Sequence, residues 1–340
     1  AFHEFGAKAV SIAADTLLKG KGGLLLGGNA LTERGLRAAA RIAEAVTCPV
    51  WVETFPACQE CGCHVPRFPA LPYFPEQARE ALADISCLVL AGAREPVAFF
   101  AYPDLPSSFL SPGASAHILA DPDSGEDAAL ALEALAEALN APPVNLSRRP
   151  VPAFSPGGKP LDPDLVGRVL AAYTPESAIV VNEAATTGLH WNAIHAANAA
   201  PHTMFFLTGG SIGQGLPNAL GAALACPDRR VIAFQADGSG LYTLQALWSM
   251  ARENTDVTIV VCANRRYRIL QIELARAGIT NPSPAVQSLT DLTNPVIDWV
   301  ALAKGFGVPG CIVSTDEELA NALVRSFAGS GPTLIEAVVV

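Results

Sequence analysis

Charged residues and long apolar runs are both scarce in this sequence. Only 16% of its 340 residues are charged, and the formal net charge is -10. Proteins that bind nucleic acid need clustered Lys and Arg to neutralise phosphates, so this balance argues against a nucleic-acid partner. The longest apolar runs, such as 257–263 and 334–340, are far shorter than the ~20 residues of a membrane-spanning helix. We therefore expect a protein that binds neither nucleic acid nor a membrane.

An initiator Met and a secretory signal peptide are absent as well. The sequence opens directly on Ala1 and Phe2. We therefore expect a fragment, a processed product or one half of a longer protein, located in the cytoplasm. In that compartment the eight cysteines would remain reduced.

Three of these cysteines are crowded into one short stretch. Cys58, Cys61 and Cys63 are followed directly by His64, and such soft ligands are able to bind a metal ion. No second Cys/His pair follows at zinc-finger spacing. The sequence leaves two interpretations open, a metal site and a surface loop of reduced thiols.

Apolar residues are abundant and make up 50% of the chain. Short apolar runs alternate with Ala-rich segments of helical spacing in both halves. Fully apolar strands separated by helices are typical of parallel sheets that are covered on both faces. We therefore predict an α/β protein of two domains, each a parallel sheet with helices on both faces.

The predicted elements are spread along the whole chain. The predicted strands are 23–26, 49–53, 87–91, 116–119, 178–182, 203–207, 231–235, 257–263 and 333–340. The predicted helices are 35–46, 75–84, 126–139, 164–173, 187–197, 213–225, 242–253, 300–306 and 317–328.

A proline-rich stretch interrupts this alternation at residues 140–163. Proline has no backbone N–H and fixes φ, so a run of prolines continues neither helix nor sheet. We predict an interdomain linker at 142–160, between a first domain at 1–141 and a second domain at 161–340.

Two polar turns follow neighbouring predicted strands in the second domain. Strand 231–235 runs into Ala236-Asp237-Gly238, and strand 257–263 runs into Asn264. The carboxyl ends of parallel strands meet at the edge where open α/β sheets bind ligands. Asp237 and Asn264 are hard oxygen ligands that suit a Mg²⁺ ion bridging a diphosphate, and the glycine lets the backbone approach a bound group. Each turn alone is common, but the two together predict a metal–diphosphate site.

These turns resemble the thiamine diphosphate motif, Gly-Asp-Gly followed some two dozen residues later by Asn-Asn. Two further stretches, 182–187 and 209–217, are similar to the Asn-Glu segment and the Gly-rich turn of the same proteins. Residues 161–340 resemble the diphosphate-binding domain of the acetolactate synthase, benzoylformate decarboxylase and pyruvate decarboxylase superfamily. Residues 1–141 resemble its Rossmann-like middle domain.

The resemblance implies a role for each matching residue. It assigns Mg²⁺ binding to Asp237, the side chain of Asn264 and the carbonyl of Arg266. It assigns contacts with the diphosphate to Ala185, Thr186, Gly238, Ser239 and the backbone near Ile269. It assigns the catalytic conformation of the cofactor to the Gly210 carbonyl and to Ile212 as an apolar wedge. It places Tyr242 and Leu270 near the pocket.

The sequence departs from the family pattern at several positions. Ala236 and Ala263 replace the first residue of each half of the motif, although neither is a metal ligand. Arg265 and Arg266 are bulkier than is usual at this turn. They either form an ordinary solvated pair or favour an acidic substrate. In the first domain, the Gly-rich turn at 26–29 lacks a full dinucleotide fingerprint, so FAD or ADP is not indicated there.

The resemblance implies a thiamine diphosphate- and Mg²⁺-dependent 2-oxo acid decarboxylase or carboligase, a lyase or transferase acting as a homodimer or homotetramer. Nothing in 1–141 resembles the pyrimidine-binding domain of this superfamily, which carries the acid–base Glu. That domain would come from the same gene or from a separate chain. The alternative is a cofactor-binding but non-catalytic subunit or fragment. The missing fingerprint argues against a plain nucleotide-binding Rossmann protein.

Overall fold

The computed structural model describes residues 6–102, 105–144 and 149–340. The chain divides into two compact units, Ala1–Arg148 and Arg149–Val340. Part of the predicted linker, residues 145–148, lies outside the described residues, as do the opening Ala1 and Phe2, so the linker bounds stay a prediction. None of the helices in the described ranges is long and apolar enough to cross a membrane.

The first unit contains a four-stranded parallel sheet in the order β2-β1-β4-β5. Its strands are β1 (Gly22–Leu26), β2 (Val50–Val52), β4 (Cys87–Ala91) and β5 (Ser115–Ala120), and a further strand of the unit is β3 (Cys58–Cys61). Its helices are α1 (Ala7–Leu18), α2 (Glu33–Val46), α3 (Pro75–Ala81) and α4 (Ala128–Ala138), with a 3₁₀ turn at Gly28–Leu31.

Side chains on this sheet alternate between two cores. Leu24 and Leu26 face a cluster that includes Leu36 of α2 and Leu132 of α4. Leu25 faces a second cluster with Leu90 and Phe109. Successive side chains of a strand point to opposite faces, so both faces of the sheet are covered, as the apolar runs predicted.

The cysteine-rich stretch is not the predicted surface loop. Cys58–Cys61 forms β3, and Cys61 and Cys63 are buried. Burial raises the pKa of the Cys61 thiol to about 12. A reduced Cys packs as a small apolar residue, and this explains why two of these thiols lie in the interior.

The second unit also contains a parallel sheet, with the strand order β10-β11-β9-β8-β6-β7. Its strands are β6 (Ala178–Glu183), β7 (His202–Phe205), β8 (Val231–Ala236), β9 (Val257–Ala263), β10 (Gly310–Val313) and β11 (Thr333–Val338). Its helices are α5 (Pro163–Tyr173), α6 (Ala185–His190), α7 (Gly215–Ala225), α8 (Asp237–Gly240), α9 (Ala246–Arg252), α10 (Arg268–Arg276), α11 (Pro284–Ser288), α12 (Trp299–Gly305) and α13 (Asp316–Ala328).

Both faces of this sheet are covered too. Leu216 of α7 and Leu247 of α9 pack on the face that carries Ile259. On the other face, the hydroxyls of Thr258 and Ser326 of α13 are hydrogen-bonded at 2.6 Å. The α/β class with helices on both faces of parallel sheets is therefore confirmed.

The order of the strands creates a switch point in the second unit. From β6 the chain passes to β7 on one side, and then returns to β8 on the other side of β6. Where connections leave a sheet in opposite directions, a crevice opens between the carboxyl ends of the two neighbouring strands at that point, which here are β6 and β8. Any ligand of this sheet is therefore expected at the ends of β6 and β8.

Two predicted helices of the second unit are wrong in their bounds. The helix predicted at 242–253 begins only at Ala246, because residues before it turn more tightly, with Tyr242 N–H donating to the Ser239 carbonyl at 3.2 Å. The helix predicted at 187–197 is α6, followed by a π-helical turn at Trp191–His195 and a 3₁₀ turn at Ala196–Asn198.

Candidate functional site

Asp237 begins α8 directly after β8, and its side chain is buried. Its Oδ1 accepts the N–H of Gly238 at 2.9 Å, and its Oδ2 accepts the N–H of Arg265 at 2.6 Å. Burial raises the pKa of Asp237, while these N–H groups act in the opposite direction. The carboxylate therefore ties the end of β8 to the turn after the adjacent strand β9.

The turn after β9 carries Asn264, Arg265 and Arg266. Arg265 has a φ of 59°, in the left-handed region, and this sharp bend reverses the chain. The Oδ1 atom of Asn264 accepts the N–H of Arg266 at 3.1 Å, and the Arg266 carbonyl accepts the N–H of Arg268 at 3.0 Å. A carbonyl or amide oxygen has two lone pairs, so each of these oxygens keeps one for another partner.

The two arginines of this turn differ in their surroundings. Arg265 is half-buried, and its Nε has no hydrogen-bond partner among the described residues, whereas Arg266 is exposed. A cleft of about 910 Å³ is lined by both arginines and by residues such as Leu274 of α10 and Gln287 of α11. The description of both as a solvated pair therefore does not fit Arg265.

Gly238 and Tyr267 are packed against each other. A Cβ atom at Gly238 would overlap the Tyr267 ring, so a side chain at this position would displace the ring. Burial raises the pKa of the Tyr267 phenol. Gly238 is therefore required for the packing of this edge, whether or not a ligand is bound.

Ser239 connects β8 to β6. Its hydroxyl donates to the carbonyl of Glu183 at 3.2 Å, and the side-chain amide of Gln235 donates to the Ser239 oxygen at 3.2 Å. Gln235 is fully buried, and within the part of the chain that the structure describes its Oε1 has no hydrogen-bond partner. The carboxyl ends of β6 and β8 are thus held together by buried polar groups, one of which remains unpaired.

Glu183 fixes the Gly-rich turn. Its buried carboxylate accepts the backbone N–H groups of Gly213 and Gly215, and a Cβ atom at Gly215 would overlap the Glu183 and Gln235 side chains. Burial raises the pKa of Glu183, and the N–H groups of Gly213 and Gly215 and the amide of Gln235 act against that shift. Sequence reasoning assigned no role to Glu183, and the available signal was an acid at the end of an apolar strand followed by a Gly-rich segment.

The fixed turn carries Gly210 and Ile212 at its exposed tip. Gly210 has a φ of 68°, and the Ile212 side chain is exposed. The turn also contacts the segment after α8, where the Thr243 hydroxyl donates to the Gly213 carbonyl at 2.7 Å. Tyr242 in that segment is 61% exposed, so it is available to a ligand or a neighbouring domain.

A second tight turn joins β6 to α6. Ala185 has a φ of 46°, unusual for a residue with a Cβ atom. The Asn182 side chain supports this bend, because its Oδ1 accepts the N–H of Ala184 at 3.2 Å and its Nδ2 donates to the Gly188 carbonyl at 3.0 Å. Thr186 is therefore placed at the end of β6, beside the switch point.

The structure brings the predicted residues to one edge of one sheet. The carboxyl ends of four adjacent strands, β9-β8-β6-β7, carry Asn264 and Arg266, then Asp237, Gly238 and Ser239, then Ala185 and Thr186, then Gly210 and Ile212. Ile269 and Leu270 follow in α10, half-buried and exposed respectively. The individual roles of these residues stay predictions.

This edge fits a diphosphate bridged by Mg²⁺. A buried carboxylate and an amide oxygen on adjacent strands are the hard ligands that Mg²⁺ prefers. The orphaned Oε1 of Gln235, buried at the same strand end, can accept a hydrogen bond from a bound group.

The Gly-rich turn of the first unit is explained by packing instead. A Cβ atom at Gly27 would crowd the carbonyl of Gly92, and a Cβ atom at Gly92 would overlap the carbonyl of Gly27. Asn29 donates through Nδ2 to Asp127 at 2.9 Å and accepts the N–H of Ala128 at 3.0 Å, which caps α4. These residues have structural partners at the point where a nucleotide-binding turn would meet its ligand.

Comparison with known proteins gives matches over the second unit and beyond it. Residues 186–337 match the family model of the thiamine pyrophosphate enzyme C-terminal TPP binding domain. The chain is 44% identical over 318 residues to IlvX of Mycobacterium tuberculosis, a protein named after the acetolactate synthase large subunit, covering 93% of this chain and 61% of that protein. It is 36% identical over 213 residues to the benzoylformate decarboxylase of Pseudomonas aeruginosa, covering 62% of this chain and 39% of that protein.

Solved structures agree with these matches. The thiamine diphosphate-dependent 4-hydroxybenzoylformate decarboxylase of Rhodococcus jostii RHA1 superposes with a TM-score of 0.77 at 28% identity, covering 100% of this chain and 65% of that one. The chain thus spans less than two thirds of the length of these proteins. Residues 186–337 thus match the C-terminal TPP binding domain of the thiamine pyrophosphate enzymes, and the chain is similar to proteins named as acetolactate synthase and benzoylformate decarboxylase.

Proposed function

We propose that this chain binds thiamine diphosphate with Mg²⁺ as the cofactor-binding part of a 2-oxo acid decarboxylase or carboligase, acetolactate synthase-like. The observation that carries the proposal is the bond from Arg265 N–H to Asp237 Oδ2 at 2.6 Å, which draws the turn of Asn264 against Asp237. Benzoylformate is a 2-oxo acid, so the names of the decarboxylase relatives support this substrate class.

The proposed metal ligands are Asp237, the side chain of Asn264 and the carbonyl of Arg266. All three are oxygen donors, and the two side chains follow strands that are hydrogen-bonded neighbours. The proposed contacts with the diphosphate come from Ala185, Thr186, Gly238, Ser239 and Ile269. Two of the tight turns that carry these residues are stabilised by Asn182 and by Asp237.

Bound thiamine diphosphate would supply the nucleophilic carbon and the electron sink that decarboxylation of a 2-oxo acid requires. The contribution of this chain is to hold the cofactor in its reactive shape. Gly210 would accept a hydrogen bond through its carbonyl, and Ile212 would press its apolar side chain against the cofactor. Glu183 anchors the turn that carries both, so their positions depend on a buried carboxylate that touches no substrate.

The proposed assembly is a cytoplasmic homodimer or homotetramer in which a pyrimidine-binding domain, from the same gene or from a separate chain, completes the site. The alternative is a non-catalytic chain that binds the cofactor for a partner. One observation favours it: both carboxylates that border the switch point, Glu183 and Asp237, already accept backbone N–H groups. Neither is free to shuttle a proton in catalysis.

Titration calorimetry with thiamine diphosphate at millimolar concentrations, in excess Mg²⁺, tests the site. Asp237→Ala removes a carboxylate ligand, and we expect the affinity for the cofactor to fall roughly 100-fold or more. Asp228→Ala removes the same charge from an exposed turn after α7 and is the matched control. Its affinity is expected to equal that of the unmodified chain.

Each outcome of the titration has a defined meaning. Equal affinities of Asp237→Ala and the unmodified chain would contradict the metal assignment. No binding by a folded, unmodified chain would contradict the proposed function. Binding without release of carbon dioxide from any 2-oxo acid, even with a pyrimidine-binding domain supplied, would favour the non-catalytic alternative.

A further inference from the structure

A second group of ligand-type side chains lies in the second unit, apart from the cofactor edge. The Oδ1 atom of Asp164, in the first turn of α5, lies 3.2 Å from His190 Nε2 and 3.0 Å from His195 Nε2. All three ligand atoms are within 4.8 Å of one another. The proposed function uses none of these residues.

The two histidines share a face because the helix between them is a π-helical turn. The N–H of Ala196 donates to the carbonyl of Trp191, five residues earlier. In an α-helix, residues five apart are separated by about 140° around the axis, so two such side chains would diverge. A π turn has roughly 4.4 residues, which returns residue 195 to within about 50° of residue 190. Such turns are rare and are frequently found at functional sites.

Packing holds this arrangement in place. Trp191 is fully buried, and its indole N–H donates to the sulfur of Met204 at 3.4 Å. The His195 ring lies against α5 so closely that a Cβ atom at Gly167 would overlap it. The cluster is therefore part of a fixed junction between α5 and the π turn, and not a chance encounter of mobile surface residues.

We propose that Asp164, His190 and His195 bind a divalent transition-metal ion such as Zn²⁺ or Co²⁺. Two imidazole nitrogens and one carboxylate oxygen suit these ions better than Mg²⁺ or Ca²⁺, which prefer oxygen ligands alone. Ligand atoms bound to one such ion at about 2.1 Å lie about 3.0 to 3.4 Å apart at octahedral or tetrahedral angles. The two measured N···O separations fall in this range.

The electrostatics and the exposure of the cluster support an ion. Only 8% of the His195 side chain is exposed, so little solvent screens it from the Asp164 carboxylate. The nearby cation, Arg168, stacks on the ring of Phe154 at 5.5 Å. The side chain of Asp164 is 49% exposed and that of His190 is 33% exposed, which leaves a solvent path and open coordination positions.

Binding needs no co-reactant. The ion would take the lone pair of each Nε2 atom, so each bound imidazole would carry its proton on Nδ1 and any further proton would pass to solvent. The ion would then link the amino end of α5 to the helix that begins at Ala185. This site is distinct from the proposed Mg²⁺ site in its residues and in the class of metal that it selects.

Cobalt absorption spectroscopy tests the proposal with Co²⁺ as the probe. The dialysed chain is titrated in excess Mg²⁺, which saturates sites made of oxygen ligands. We expect one equivalent to bind, with weak visible bands of nitrogen and oxygen ligation. His190→Gln and Asp164→Asn are expected to weaken binding more than 10-fold, and both are partly exposed, so the fold should survive. His117→Gln is the control, since the Nε2 atom of His117 lies 2.8 Å from the Ala9 carbonyl in the first unit.

Thiols are the competing ligands in this chain, and the spectrum separates them. Thiolate ligation adds intense near-ultraviolet absorption that Cys58→Ser would remove. The proposal would be overturned if the bound Co²⁺ showed this thiolate band, or if His190→Gln bound Co²⁺ as tightly as the unmodified chain. It would also be overturned if the chain bound no stoichiometric amount of Co²⁺. Asp237→Ala is expected to leave the Co²⁺ titration unchanged, which keeps this result independent of the cofactor site.

Discussion

Glu183 is a buried acid whose partners are backbone N–H groups. At the scale of single residues, it decides where Gly210 and Ile212 lie, because it binds the turn that carries them. A carboxylate accepts from both Gly213 and Gly215, whereas an amide presents one NH₂ donor to one of these N–H groups. Two acceptor oxygens at this site are therefore a structural requirement of the turn.

Glu183→Gln is expected to lower the free energy of unfolding by about 1–3 kcal/mol, since one buried N–H loses its acceptor. We expect the affinity for thiamine diphosphate to fall as well, because the turn is no longer held. Urea denaturation and calorimetry measure the two effects. Glu44→Gln, on the exposed side of α2, is the matched control and should change neither. A Glu183→Gln protein as stable as the unmodified chain would contradict the anchoring role.

The positions of the proposed metal ligands at strand ends could be predicted from sequence, but the residues that support them could not. Asp237 and Asn264 each follow a continuous apolar run, so their place at strand ends is a local property. Glu183 and Tyr267 act across the fold, on Gly213 and on Gly238. No local pattern specifies which loop a carboxylate will meet, and this explains why sequence reasoning gave Glu183 no role.

At the scale of elements, local sequence patterns again predict what burial defines and miss what tertiary packing defines. Strand β9 was predicted with the bounds 257–263 that the structure has, and β6 and β8 to within one residue. Their apolar runs are bounded by polar turns, so burial alone defines them. The π turn at Trp191–His195 and the late start of α9 were missed. Both depend on tertiary packing, of Trp191 in one case and of Gly213 against Tyr242 in the other.

The amino end of α13 is joined to the segment 157–159 by one carboxylate. Asp316 is buried, and its oxygens accept the N–H groups of Gly157 at 2.9 Å, Lys159 at 2.7 Å and Glu317 at 3.0 Å. Burial alone would raise the pKa of Asp316, but these N–H groups outweigh it and hold the pKa below its ordinary value of 3.8. The ionised form is therefore the one that the folded chain prefers.

This junction should make the stability of the chain depend on pH. A folded-state pKa below the unfolded value gives stability that is full above 3.8 and is lost as pH falls through the lower, folded-state pKa. Urea denaturation from pH 6 downwards, at pH steps of about one unit, is expected to show this loss. Asp316→Asn should flatten this part of the profile, whereas Asp228→Asn, in an exposed turn, should not. Identical acid profiles for Asp316→Asn and the unmodified chain would contradict the assignment.

At the scale of the whole molecule, the two units have the same architecture but differ in what their Gly-rich turns contact. Each has a parallel sheet covered on both faces, and each has a Gly-rich turn after a strand. In the first unit, Gly27 and Gly92 have no Cβ atom, and this allows their backbones to pack against each other. In the second unit, the Gly-rich turn is held by Glu183 and leaves Gly210 and Ile212 exposed. The polar residues proposed to bind the cofactor are confined to the second unit.

We expect the 340 residues alone to bind thiamine diphosphate weakly and to release no carbon dioxide from 2-oxo acids. Catalysis needs a group that can move a proton at the cofactor, and Glu183 and Asp237 are both committed to backbone N–H groups. A coupled assay for carbon dioxide with benzoylformate and pyruvate measures this, and the same assay after addition of a pyrimidine-binding domain from a relative is the positive control. Turnover by the 340 residues alone would contradict the division of labour proposed for this site, in which a group outside this chain moves the proton.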